Sequence, residues 1–239
     1  MTRFRALKRE LETLLLPPAW PEGAAGIPAD AATVRGMEAV SPLLALLPRG
    51  GLLKWRAVLL LGRVVPDIAA ENMEDARTVM RRCMWHMNED SGNMGWGIAE
   101  AMGEIAARSG PLAGEYGRVI LSYARDTGFA DNFVDHPQLR RGAYWAIGRF
   151  SPVYPAFREE GAELLLGGLA GEDAQSRGIA AWGLGKLAAA GAFTDGGMRS
   201  TVAEGLCRVR DQDVCEIFDG AHCRVEPAAV FACQALRLL

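Results

Sequence analysis

Residues 177–188 read RGIAAWGLGKLA, and three other stretches lie over them column by column: 54–65 (KWRAVLLLGRVV), 95–106 (GWGIAEAMGEIA) and 140–151 (RRGAYWAIGRFS). Gly62, Gly103, Gly148 and Gly185 fall in one column, at spacings of 41, 45 and 37 residues. A period of that length marks a two-helix repeat, in which each unit buries its apolar face by stacking on its neighbours.

The columns around the glycine follow helical geometry. One position before it stand Leu61, Met102, Ile147 and Leu184; two after it, Val64, Ile105, Phe150 and Leu187; five before it, Ala57, Ile98, Ala143 and Ala180. Offsets of three and four place all of these on one helix face. Glycine inside a helix costs roughly 1 kcal/mol against alanine. Its fourfold recurrence therefore points to a repeated close approach between helices. The position after the glycine is charged in every repeat (Arg63, Glu104, Arg149, Lys186) and is expected to face solvent. Trp145 and Trp182 share the column three before it, where Leu59 and Glu100 stand in the other repeats. An aromatic repeated there either lines a groove or packs between repeats.

Eight positions before the glycine, three repeats carry a base (Lys54, Arg140, Arg177) and the second carries Gly95; Asp173 precedes Arg177 by one turn. The pattern Asp173-x3-Arg177-x2-Ala180-x3-Leu184-Gly185-x-Leu187 resembles the HEAT-like repeats of the phycobilisome-lyase type. The likeness is best in the third and fourth repeats, and the four together span residues 30–190. It implies an all-α fold, a right-handed α–α superhelix, in which the aspartate and arginine sit near the start of each second helix and ladder neighbouring repeats. Segments 81–97 and 131–148 are also similar to HEAT-like proteins of sulfate-reducing bacteria, a likeness that implies no activity.

Periodicity predicts helices near 2–16, 31–47, 52–66, 73–88, 96–108, 112–125, 138–150, 156–170, 175–190, 197–209 and 227–238, with Pro42 interrupting the second. The Pro- and Gly-rich stretch 17–30 reads as a linker. One domain is expected over 1–239: a cap helix and linker (1–30), repeats (31–190), and a C-terminal repeat and cap (191–239) in which 225–239 covers the last apolar face.

Hydrophobic residues make up 50% of the 239, enough for a packed interior, and the net charge is −3. Residues 1–120 carry 14 basic and 14 acidic side chains and residues 121–239 carry 12 and 15. This balance argues against nucleic acid as the partner, because phosphate contacts demand a basic excess. Charges run through the first sixteen residues, so no signal core is visible there. No window reaches the roughly 18 apolar residues of a membrane span. A cytoplasmic protein without a membrane partner is expected. The five cysteines, an odd number, argue against a complete disulfide framework.

The chain has no GxSxG, no P-loop, no GxGxxG after a strand and no HxxxH or HExxH. No catalytic residue and no cofactor is therefore assigned. Three constellations remain. Residues 88–95 (NEDSGNMG) join two helices between Trp85 and Trp96; Glu89, Asp90, Asn93 and Trp96 are candidates for partner contact, against a plain polar turn. Asp135 and His136 precede Arg140 and Arg141, either as an acid–base or metal group or as a helix cap with local ion pairs. Cys207, Cys215, Cys223 and Cys233 lie beside His222 but lack the tight CxxC pair that pre-organises most metal sites. No metal ligand is assigned; buried and loop thiols are the plainer reading, and a metal-binding regulator or a disulfide the lesser ones.

The reading that follows is a non-catalytic scaffold whose concave face, lined by second helices, binds a protein partner or acidic segment through Lys54, Arg140, Arg141 and Arg177. Trp145 and Trp182 complete the set, since arginine and tryptophan dominate binding hot spots. The alternative is a DNA-repair enzyme similar to the HEAT-like alkylpurine glycosylases. It needs a groove tryptophan beside a carboxylate and rests on fold analogy.

Overall fold

The structure is a computed structural model that describes residues 3–16, 31–88, 95–129, 132–171, 173–210 and 212–239. The elements run α1 (Arg3–Leu15), a 3-10 turn (Ala31–Thr33), α2 (Met37–Leu44), a second 3-10 turn (Leu47–Arg49), α3 (Gly51–Glu71), α4 (Met73–Met87), α5 (Ile98–Arg108), α6 (Gly110–Ser122) and α7 (Pro137–Phe150). A third 3-10 turn (Pro155–Phe157), α8 (Arg158–Leu169), α9 (Ala174–Ala189), α10 (Gly196–Arg208), β1 (Val214–Phe218), β2 (Cys223–Pro227) and α11 (Ala228–Leu236) follow. The chain forms two compact units, Met1–Ala113 with Phe218–His222, and Gly114–Ile217 with Cys223–Leu239. The linker stretch 17–30 lies outside the described residues.

In the first unit α3 is the centre: α1, α2, α4 and α5 all pack against it. It runs through Pro66 to Glu71, five residues past its expected end. The expected helix over 31–47 is instead broken ahead of Pro42. Gly36 turns the chain at φ +81°, α2 starts afresh at Met37, and Pro42 sits inside it, so the glycine rather than the proline interrupts. In the second unit α9 is central, between α7 and α11, with α8 behind α7 and α9 and α10 against α8 and α11.

The glycine column does what its recurrence implied. A Cβ on Gly148 would lie 2.7 Å from the Gly183 Cα, and one on Gly185 would lie 3.3 Å from the Ala235 Cβ. On Gly62 it would lie 2.3 Å from the Glu104 Cγ. Each of these three glycines admits the next second helix of its unit: α9, α11 and α5 respectively. The apolar columns are buried throughout, from Leu61, Met102, Ile147 and Leu184 to Val64, Ile105, Phe150 and Leu187.

The charged column departs from expectation. Lys186 is exposed, but Glu104 is wholly buried. Glu104 fills the space left by Gly62 and holds Arg108 Nε at 2.5 Å, so a charge in this column faces a neighbouring helix once the opposing residue is a glycine.

Residues 214–227, for which no element was expected, form a hairpin. The Asp219 N–H donates to His222 O and the Ala228 N–H to Asp213 O, which pairs Glu216 with Val225 and Cys215 with Glu226. Asp219-Gly220 between the alternating runs VCEIF and CRVEP is the local signal for it: Gly220 supplies φ +105° and the Asp219 carboxylate accepts from the Ala221 and His222 N–H groups.

Candidate functional site

In the second unit the polar residues collect at the N-terminal turns of α7 and α9. Arg140 Nη1 donates to Val134 O at 2.9 Å and to Asp135 O at 3.1 Å. Its guanidinium carbon stands 4.8 Å from the Phe133 ring centre. Arg177 Nη1 donates to Gly171 O at 2.6 Å. The two arginines occupy the same repeat position and perform the same act, reaching back six residues to tie the incoming loop to its own helix.

Between them runs a rung. Arg141 Nη2 lies 3.1 Å from Asp173 Oδ1. Asp173 also caps α9, accepting from the Ser176 N–H at 2.7 Å and from the Ser176 hydroxyl at 3.0 Å. Burial on its own would raise the Asp173 carboxyl; the Ser176 N–H and the Arg141 guanidinium outweigh it and hold the group below the ordinary aspartate range. Arg140, Arg141, Asp173 and Arg177 are all half-buried, so each keeps a face toward water while serving the fold.

His136 stands at the N-cap position of α7, exposed, and its side chain makes no capping hydrogen bond; Asp135 is exposed beside it and takes Arg140 through its backbone carbonyl. Tyr144, one turn after Arg140, is buried, and burial pushes its phenol up while the Arg140 guanidinium pulls it down.

Trp145 and Trp182 stack with ring centroids 6.0 Å apart and planes 11° from parallel, both buried. They pack between α7 and α9, the second of the two alternatives that their shared column offered, and the close approach at Gly148 brings the rings together. The exposed tryptophan beside a carboxylate that a glycosylase-like site requires is not supplied by this pair.

The first unit carries a different version of the site. Lys54 Nζ lies 3.0 Å from Glu100 Oε1 and 3.7 Å over the Trp55 ring. Trp55 in turn stacks on Phe218 at 4.8 Å. Glu100 is buried, so Lys54 spends its charge inside the unit. Glu100 was missed as a polar partner; the signal was a carboxylate in an otherwise apolar column. Trp96 is half-buried before α5, whereas Glu89, Asp90 and Asn93 lie outside the described residues.

Among the described residues no three His, Cys, Asp or Glu side chains gather as a metal site. The cysteines form no disulfide: Cys83 and Cys215 are buried, Cys207 and Cys233 are exposed on helices rather than in loops, and Cys223 is half-buried on β2. Burial pushes the Cys83 thiol up to about 12. No helix among the described residues is long and apolar enough to cross a membrane.

These features define an all-α helical repeat solenoid. Over 98% of its length the chain matches a designed armadillo repeat protein in complex with the peptide (KR)4, covering 92% of that chain at a TM-score of 0.56 and 14% identity. A second designed armadillo repeat protein matches over 98% of this chain and 99% of its own at a TM-score of 0.51 and 13% identity. At such identities the likeness speaks for the fold alone. No protein-family model and no curated protein matches the chain.

Proposed function

We propose that this protein is a non-catalytic scaffold that holds an acidic, extended segment of a cytoplasmic protein partner. The observation that carries the reading is the group of half-exposed guanidiniums, Arg140, Arg141 and Arg177, at the N-terminal turns of two adjacent second helices. Helix N-termini carry partial positive charge, so guanidinium and backbone favour the same ligand sign. Arginine offers a planar fork suited to carboxylates, and its loop-tying bonds fix it in advance, which lowers the entropy lost on binding. A repeat protein of similar fold is known with a basic peptide, (KR)4. The charges on this face favour the opposite sign. Neighbouring repeats are laddered by Arg141 and Asp173, whereas the motif arginines Arg140 and Arg177 tie their own incoming loops.

The test is fluorescence anisotropy with labelled (DE)4 and (KR)4 peptides, on the wild type and on R141Q/R177Q, with thermal melts to verify folding. Binding of (DE)4 that weakens with salt and falls about tenfold in the variant is expected. Preference for (KR)4, or equal (DE)4 affinity in a folded variant, would remove this face from the reading.

A further inference from the structure

The two edges of the β1–β2 hairpin are treated differently. Glu216 points its N–H and C=O away from β2, and the Gln175 side chain satisfies both: the Glu216 N–H donates to Gln175 Oε1 at 2.9 Å, and Gln175 Nε2 donates to Glu216 O. The amide thus stands in for a neighbouring strand. On the other edge Val225, paired with Glu216, points its N–H and C=O away from β1 by the same register. Among the described residues these two groups meet no partner, and Val225 is 61% exposed. An open strand edge is a template for another strand.

The residues flanking Val225 say which strand. Arg224 and Glu226 lie on one strand face, their side chains 29% and 32% exposed, with Arg224 Nε 3.0 Å from Glu226 Oε1. Set β2 antiparallel to a second β2 about a two-fold axis through Val225. Each Val225 then exchanges two backbone hydrogen bonds with its copy, and each Arg224 stands opposite the other chain's Glu226. Directly opposite residues have Cβ atoms about 4.5–5.5 Å apart, close enough for opposite charges to stabilise and like charges to oppose the pairing. A slip of two residues either way sets Arg224 against Arg224 or Glu226 against Glu226, so the sequence selects one register. Pro227 has no N–H to donate, which confines the addition to the centre of the strand.

We infer that the β2 edge is a self-association site, through which two copies of this chain pair antiparallel about Val225 in an isologous dimer. The inference does not depend on the arginine face of the proposed function.

Sedimentation equilibrium of the full-length protein across the micromolar range tests it. The wild type is expected to move toward twice its 25.7 kDa chain mass as concentration rises. V225P, which deletes both central donors, should remain monomeric. R224E and E226R each place like charges opposite one another and should weaken the dimer by on the order of tenfold. An equimolar mixture of R224E and E226R restores both cross-chain pairs and should recover it. Each single variant breaks the same intrastrand pair and mixing cannot mend that, so recovery reports the interface alone. A wild type that stays monomeric throughout, or a mixture no heavier than its components, overturns the inference.

Discussion

Gly148 of α7 meets Gly183 of α9 so closely that a Cβ on Gly148 would stand 2.7 Å from the Gly183 Cα and 2.8 Å from the Trp182 ring. Backbone cannot yield as a flexible side chain can. Gly148→Ala should therefore destabilise the second unit by about 1–3 kcal/mol, in spite of alanine's better helix propensity. At Gly185 the nearest atom is the Ala235 Cβ at 3.3 Å, which asks for a shift of tenths of an ångström. Gly185→Ala should cost distinctly less. Urea unfolding followed by circular dichroism gives the order, and equal midpoints for the two variants would contradict the packing described.

Glu104 is enclosed while Arg108, its partner at 2.5 Å, is a third exposed. Removing the arginine leaves a carboxylate in the interior without that guanidinium; neutralising the glutamate leaves an arginine that water can reach. Arg108→Ala should thus cost about 1–3 kcal/mol and Glu104→Gln less. The two unfolding free energies settle it, and the reverse order would mean that the buried carboxylate does not depend on Arg108.

The repeat was legible because burial leaves periodic traces. The columns at Leu61, Val64 and Ala57 and their counterparts are all buried, and the glycines mark the helix contacts. Glu104 was not legible as a buried residue, because a charge reads as solvent-facing until the opposing Gly62 is known. The same holds for Trp145 and Trp182, whose shared column announced that they were alike but not that they touch. Arg140 and Arg177 were found as a pair; that both tie loops depends on carbonyls six residues upstream, whose direction no side-chain pattern records. The hairpin had a signal in Asp219-Gly220, hidden by expecting a purely helical chain.

The cysteines divide by access. Cys83 and Cys215 are buried, and the thiol of Cys83 is pushed up to about 12, which leaves almost no thiolate at neutral or mildly alkaline pH. Cys207 and Cys233 are exposed. Brief treatment of the native protein with iodoacetamide, followed by peptide mass spectrometry, should place label on Cys207 and Cys233 well before Cys83 or Cys215. Early labelling of Cys83 would mean that the α4 packing opens readily.

Asp173 joins the cap of α9 to Arg141 of α7, and its carboxyl titrates below the ordinary aspartate value. A carboxyl whose folded pKa is lowered adds stability in full above its unfolded pKa, about 3.9 for aspartate. That contribution drains away as pH falls from there through the folded value. The wild type should therefore exceed Asp173→Asn in stability at neutral pH, hold that margin down to about pH 4, and lose it progressively below. Since Asp173 is half-exposed, the margin should also shrink in high salt, where the Arg141 attraction is screened. Unfolding midpoints in urea at a series of pH values supply the curve. A margin that is constant across the acid range would show that Asp173 acts through its shape and hydrogen bonding alone, which asparagine shares, and not through its charge.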